Sequence, residues 1–98
     1  MKLKRLQNIL ITKEYTFIYK YYSGIEEGIE ELAINDKTDN IILHCNKNTD
    51  MLIILTFIDG VGATKNFCKF TEGIYKQIRE FFINQKEIKD FKKVINKL

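Results

Sequence analysis

The segment Met51–Ile58 reads MLIILTFI and is apolar at every position except Thr56. A run of β-branched and aliphatic residues of this length is typical of a strand, and apolar side chains at both odd and even positions indicate that both faces are covered. In a chain of 98 residues the cover can come from the N-terminal segment, from a C-terminal helix or from a second copy of the molecule. The segment therefore predicts a central strand and leaves a homodimer open.

Two further strands are predicted before this segment. Asn40–Cys45 is apolar and β-rich, and the polar residues 46–50 that follow it have the composition of a hairpin loop. Glu14–Tyr22 alternates, with Tyr15, Phe17, Tyr19 and Tyr21 on one side. The strands and the short loop together favour an antiparallel sheet.

Two segments allow more than one interpretation. Residues 2–11 place leucines and isoleucine at helical spacing, which favours a short helix over a strand through Asn8–Thr12. Residues 25–34 have helical spacing and a capping box formed by Ser23 and Glu26, but Gly28 weakens a helix. This second segment is predicted to be a short helix or a helix that runs into a strand.

The C-terminal third is predicted to be helical. After the turn at 59–62, apolar residues recur at intervals of three, four or seven from Phe67 onward. Thr71 is a suitable N-cap for a helix over 72–83, and a break is expected at 84–86. The predicted fold is a single α+β domain over 1–98: an antiparallel sheet of three to five strands, a C-terminal amphipathic helix packed on one face and a short N-terminal helix.

Charge is sorted along the chain. Residues 1–22 carry five bases against one acid, residues 23–59 carry eight acids against two bases, and residues 60–98 carry nine bases against four acids. The net charge of +3 conceals this basic–acidic–basic order. Such asymmetry concerns partners and steering rather than fold.

Candidate partner-binding residues come from surplus aromatic and basic side chains. The row of tyrosines in the predicted first strand exceeds what one buried face requires, and exposed tyrosine favours contact with a partner. The predicted C-terminal helix carries lysines on its polar face. The candidate partner-binding residues are Tyr19, Tyr21, Tyr22, Lys86, Lys89, Lys92 and Lys93.

Four glutamates form a candidate acidic patch. If residues 25–34 are helical, Glu26 lies beside Glu30 and Glu27 lies beside Glu31. Such a patch could mimic phosphate or hold a hard cation, but a plain solvated face is the favoured interpretation.

No pattern of catalytic residues is found. On a strand, His44 and Cys45 point to opposite faces and cannot share a metal ion. Ile58–Lys65 contains two glycines but fails both the dinucleotide and the P-loop spacing, so it is interpreted as a turn. We therefore expect no catalytic residues, no metal site, no cofactor and no disulfide between Cys45 and Cys68.

The favoured function is a small non-catalytic interaction protein, an inhibitor or regulator that docks on a larger macromolecular partner. The alternative is a non-specific nucleic-acid-binding protein that uses a basic patch and exposed tyrosines. Fourteen lysines against two arginines, with sixteen isoleucines, are typical of an AT-rich genome and permit an origin in a phage or other mobile element. A cytoplasmic location is expected, with a protein partner, no membrane association and a homodimer left open.

Overall fold

A computed structural model describes residues 2–23, 28–85 and 87–91. Within these ranges a short N-terminal helical segment precedes five strands, and a longer helix follows them. The elements are α1 (Lys2–Arg5), α2 (Gln7–Thr12), β1 (Thr16–Tyr22), β2 (Ile29–Asp36), β3 (Asp39–Asn46), β4 (Met51–Ile58), β5 (Val61–Lys69), α3 (Glu72–Ile83) and a 3-10 turn (Ile88–Asp90).

The strands form one antiparallel sheet in the order β1-β2-β3-β4-β5, so each strand pairs with its neighbours in the chain. The predicted α+β fold is confirmed, with five strands and with helices before and after them in the sequence. The apolar strand β4 is an interior strand, as expected, although the centre of the sheet is β3.

The helices cover one side of the sheet, which we call the inner face. Alternate residues of the strands meet side chains of α1, α2, α3 and the 3-10 turn there. Phe82 stands at the centre of an aromatic group, with its ring centroid 5.3 Å from those of Tyr15 and Phe81. Fully buried core residues include Leu3, Leu6, Leu10, Leu32, Ile34, Ile41, Leu43, Leu52, Ile54, Ile78, Phe82 and Phe91.

The predictions for the two terminal helices are confirmed. Residues 2–11 are helical because Leu3, Leu6 and Leu10 line one stripe that is buried on the sheet. Helix α3 spans the predicted range, and Thr71 caps it by accepting a hydrogen bond from the N–H of Ile74 at 3.2 Å. The helix ends before Asn84, at the predicted break.

Of the two alternatives for residues 25–34, a short helix is wrong for the described part, whereas the strand at the end of the other alternative is present as β2. Gly28 has a φ of +87°, and strand β2 begins directly after it. Leu32 and Ile34 point into the core while β2 pairs on both sides, and this pairing outweighs the local helical spacing. Residues 25–27, which include Glu26 of the predicted capping box, lie outside the described residues.

The helical pattern predicted from Phe67 onward is also wrong before residue 70. Val61–Lys69 is strand β5, joined to β4 by a tight turn in which Asp59 and Gly60 have positive φ angles of 55° and 71°. Phe67 and Phe70 suggested a helix because they are three positions apart. Phe67 instead belongs to the strand, whereas Phe70 lies in the connection to α3.

Candidate functional site

The side of the sheet that faces away from the helices, which we call the open face, is the most distinctive surface of the molecule. The register places Ala33, Ile42 and Leu55 level with one another across β2, β3 and β4. The open face comprises Thr16, Ile18, Lys20 and Tyr22 of β1, Ile29, Glu31, Ala33 and Asn35 of β2, Asn40, Ile42, His44 and Asn46 of β3, Met51, Ile53, Leu55 and Phe57 of β4, and Lys65, Phe67 and Lys69 of β5.

The centre of the open face is apolar and uncovered within the described part of the chain. Ile42, Ile53 and Leu55 are only half-buried, and none of them belongs to the core that packs under the helices. At the flanks, Ile18 is 55% exposed and Phe67 is 60% exposed. Five strands of about eight residues span roughly 24 by 27 Å, which is about 650 Å² before side-chain relief.

Charged side chains lie around this apolar centre. Lys20 and Glu31 are directly opposite each other in the pairing of β1 with β2. On β5 the ammonium group of Lys65 lies 5.0 Å from the centroid of the Phe67 ring, and Lys69 is exposed at the end of the strand. The described charges of the open face are therefore three lysines and one glutamate.

The three candidate tyrosines do not share one surface. Tyr19 and Tyr21 extend from the inner side of β1, whereas Tyr22 belongs to the open face. Tyr21 is 38% exposed, and the ammonium group of Lys47 lies 5.8 Å from its ring centroid. Tyr19 is half-buried, and its hydroxyl is engaged inside the molecule.

The hydrogen-bond acceptor of the Tyr19 hydroxyl is Glu30. The side chain of Glu30 is 2% exposed, and its Oε2 accepts hydrogen bonds from the Tyr19 hydroxyl at 2.7 Å and from the N–H of Lys4 at 3.1 Å. Burial, followed by the hydrogen bond with Glu30, raises the pKa of Tyr19 above its usual range. Glu30 therefore ties α1 to the first two strands and is not a docking group.

The candidate acidic patch is not a single solvated face. Glu30 and Glu31 are consecutive in a strand and point to opposite sides, so the helical arrangement predicted for them is wrong. Glu31 alone belongs to the open face. Glu26 and Glu27 lie outside the described residues.

Of the candidate lysines, Lys89 is the one within the described residues. Its ammonium group forms an exposed ion pair with Glu87 at 2.9 Å, and this hydrogen bond raises the pKa of Lys89. It also lies beside the turn that carries Asp36 and Asp39. Lys86, Lys92 and Lys93 lie outside the described residues.

The histidine and the two thiols are separated, as predicted. Cys45 is buried on the inner face, whereas His44 is half-exposed on the open face. Cys45 and Cys68 are both free, and β4 lies between them. Burial raises the pKa of Cys45 to about 11, with a smaller contribution from the charge of Glu30.

The helical layer brings the chain's two arginines together. Arg5 and Arg79 line one notch of about 350 Å³ between α2 and α3. The Arg5 guanidinium pairs with Glu72 at 2.8 Å and stacks over Tyr75, with its central carbon 4.2 Å from the ring centroid. The basic N-terminal segment and helix α3 thus meet at this notch.

Other features of the described residues add no further candidate. No group of three or more histidine, cysteine, aspartate or glutamate side chains in 2–23, 28–85 and 87–91 is arranged to hold a metal ion. Among the helices described, none is long and apolar enough to cross a membrane. Comparison with protein-family models, with curated proteins and with solved structures finds no match to this chain.

Sequence reasoning missed the residues that give the open face its character. Ile18 and Phe67 were assigned to a strand and to a helical stripe, respectively, without a surface role. The available signal was the two-sided apolar pattern of β4, because a strand with apolar residues on both faces needs neighbours that are apolar on both faces. β1 has such a pattern through Phe17 and Ile18.

Proposed function

We propose that this chain is a small non-catalytic interaction protein, an inhibitor or regulator, which docks on a larger protein through the open face. The observation that carries the proposal is the apolar centre of that face, which no element within residues 2–23, 28–85 and 87–91 covers. The whole open face extends over about 650 Å², part of which is polar, and a contiguous apolar patch of a few hundred Å² is already unusual enough on a monomer to indicate an interaction site. Surfaces of this size and character commonly bind other proteins.

The charges at the margin define the chemistry of the partner. Lys20, Lys65 and Lys69 outnumber Glu31 on the open face. A complementary partner presents an apolar patch with carboxylates at its border, because opposite potentials increase the association rate and suppress wrong partners. The area of the face, about 650 Å², is somewhat below the mean of about 800 Å² that each partner buries in a protein interface of standard size and lies within the range of such interfaces.

Site-specific photocrosslinking tests this proposal. A photoreactive amino acid placed at Phe67 samples the open face, and one placed at Ile11 is the matched control, since Ile11 is 63% exposed on the helical layer. Irradiation of expressing host cells is expected to produce an adduct with a larger protein from Phe67 and not from Ile11. Mass spectrometry identifies the protein in the adduct.

A binding measurement then completes the test. Leu55→Lys places a charge at the apolar centre and is expected to weaken binding of the purified partner at least about tenfold, whereas Ile11→Lys is not. The proposal fails if Phe67 yields adducts only with further copies of this chain. It also fails if Leu55→Lys and Ile11→Lys bind the partner with equal affinity.

A second candidate function, non-specific nucleic-acid binding, is favoured by the notch that contains both arginines. Guanidinium groups from two adjacent helices suit phosphate oxygens. However, Arg5 is already paired with Glu72, which reduces the charge available to a phosphate. The open face therefore supports the protein-docking proposal more strongly.

A salt titration with random-sequence DNA separates the two functions. Binding through the notch is expected near 50 mM salt, to decline steeply by about 200 mM, and to weaken in Arg79→Ala but not in Lys65→Ala. Absence of binding at 50 mM salt excludes the nucleic-acid alternative.

A further inference from the structure

We propose that the free protein is a face-to-face homodimer in which the open faces of two copies cover each other, so that a larger partner must displace the second copy. This inference rests on the proposed function in one respect, since it concerns the regulation of the same face. The dimer itself follows from surface area and charge and can be measured without any partner.

The area of the open face is sufficient for a stable pair. Two faces of about 650 Å² bury about 1,300 Å² together, which is within the range of specific interfaces and above that of ordinary crystal contacts. Two sheets that pack face to face form a sandwich about 10 Å thick, and its core would consist of the side chains of the two open faces. Ile42, Ile53 and Leu55 supply that layer on each copy.

Charge selects one of the two simple arrangements. One two-fold axis lies between the two sheets, parallel to their planes and perpendicular to the strands. It places β5 over β5 of the other copy, which brings Lys65 and Lys69 of both copies together. An axis along β3 instead places β1 over β5 of the other copy. Lys20 then lies over the other Phe67, and Glu31 lies over the other Ile53, diagonally between the other Lys65 and Lys69. We therefore infer the axis along β3.

This axis also matches large side chains with small ones. It places Ala33 of β2 over Leu55 of β4 in the other copy, because β2 and β4 are equidistant from β3. Ile42 lies on the axis and meets its own counterpart. Alternation of large and small residues across facing sheets allows the two layers to interdigitate.

The dimer regulates docking by competition for a single face. A larger protein binds only the monomer, so its apparent affinity is reduced by the fraction of chain that is held in dimers. Dilution of the chain releases the face, and accumulation of the chain covers it. The second copy thereby keeps the apolar centre out of water until a partner is present.

Analytical ultracentrifugation of the full chain tests the dimer. The wild type is expected to be dimeric at about 100 µM, with a dissociation constant on the order of 10 µM or tighter. Leu55→Lys is expected to weaken the dimer at least about 100-fold, since a charge would be buried at the interface, whereas Ile11→Lys is expected to leave it unchanged. Circular dichroism verifies that each variant is folded.

Crosslinking determines the arrangement. In a Cys68→Ser background, a short bismaleimide is expected to link Ile42→Cys between copies and not Ile18→Cys, because the axis along β3 places the two copies of residue 18 at opposite edges. Efficient linking through residue 18 overturns the inferred axis. A wild type that is monomeric at about 100 µM, or a dimer equally stable in Leu55→Lys, overturns the dimer and leaves the larger-partner proposal standing.

Discussion

The two faces of the sheet are built from similar side chains yet occupy different environments. Ile53 and Ile54 are neighbours in β4, but Ile54 is fully buried under the helices whereas Ile53 lies half-buried on the open face. The inner face is closed by α1, α2 and α3. The difference shows that an apolar strand does not by itself reveal which of its faces stabilises the monomer and which remains available to another molecule.

The largest expected effect comes from truncating the two isoleucines. Ile54→Ala is expected to lower the free energy of unfolding by about 3–4 kcal/mol, because it removes buried methyl groups and leaves a cavity. Ile53→Ala is expected to lower it by about 1 kcal/mol or less. Urea denaturation, carried out at a protein concentration at which the monomer predominates, measures both losses. Equal losses would contradict the distinction between the faces.

The two glutamates of β2 give the next comparison. Glu30→Ala is expected to lower the free energy of unfolding by about 2–3 kcal/mol, because it leaves the Tyr19 hydroxyl and the N–H of Lys4 without their charged acceptor. Glu31→Ala is expected to change it by at most about 0.5 kcal/mol. Denaturant titrations of both variants at low protein concentration test this. Similar losses would show that Glu30 is not a structural anchor.

Alkaline pH sharpens the comparison through Cys45 of the inner face. Its thiol has a pKa of 9.0 in the unfolded chain and about 11 in the fold, so the folded state retains the proton that the unfolded state releases. The contribution of this thiol to the free energy of unfolding is complete below pH 9. Roughly 2 kcal/mol of that free energy is lost as the pH rises to about 11. Stability curves of wild type and Cys45→Ala measure it, and the variant is expected to have the flatter slope. If the free energy of unfolding depended on pH with the same slope in both proteins, the raised pKa of Cys45 would be contradicted.

The smallest expected effect concerns two threonines on opposite faces. Thr56 is 1% exposed on the inner side, and its hydroxyl has no hydrogen-bond partner within the described part of the chain. Thr56→Val is therefore expected to raise the free energy of unfolding by about 1 kcal/mol, whereas Thr16→Val on the exposed side is expected to change it by less than about 0.5 kcal/mol. Thermal denaturation of the pair measures the difference. Destabilisation by Thr56→Val would indicate a polar contact at that site.

The elements that were predicted from the sequence carry strong local signals. Helix α3 was predicted because Thr71 supplies a cap and the apolar spacing follows directly after it. β3 and β4 were predicted because a polar loop separates two continuous apolar runs. In each of these segments local preference and tertiary environment agree, which is the condition under which a pattern alone suffices.

The features that the sequence left open or missed depend on contacts between distant residues. β2 forms because Leu32 and Ile34 join a core that includes residues from both ends of the chain. Glu30 is buried because its acceptor oxygen meets an N–H supplied by Lys4, 26 positions earlier. The two-sided apolar pattern indicates that a second apolar face exists, but it does not tell which face stays open, since β1 carries apolar residues on both sides and alternation cannot assign the side that the helices cover.

The sequential pairing of the strands has a consequence for how the protein is made. During synthesis each strand can join the edge left by the previous one, and such short-range pairing favours rapid folding. The inner face, however, needs α3 and the buried ring of Phe91, which follow the five strands in the sequence and are therefore synthesised after them. Until then a nascent sheet is apolar on both sides. We expect the interval between completion of β5 and docking of α3 to be the period in which this chain most requires a chaperone.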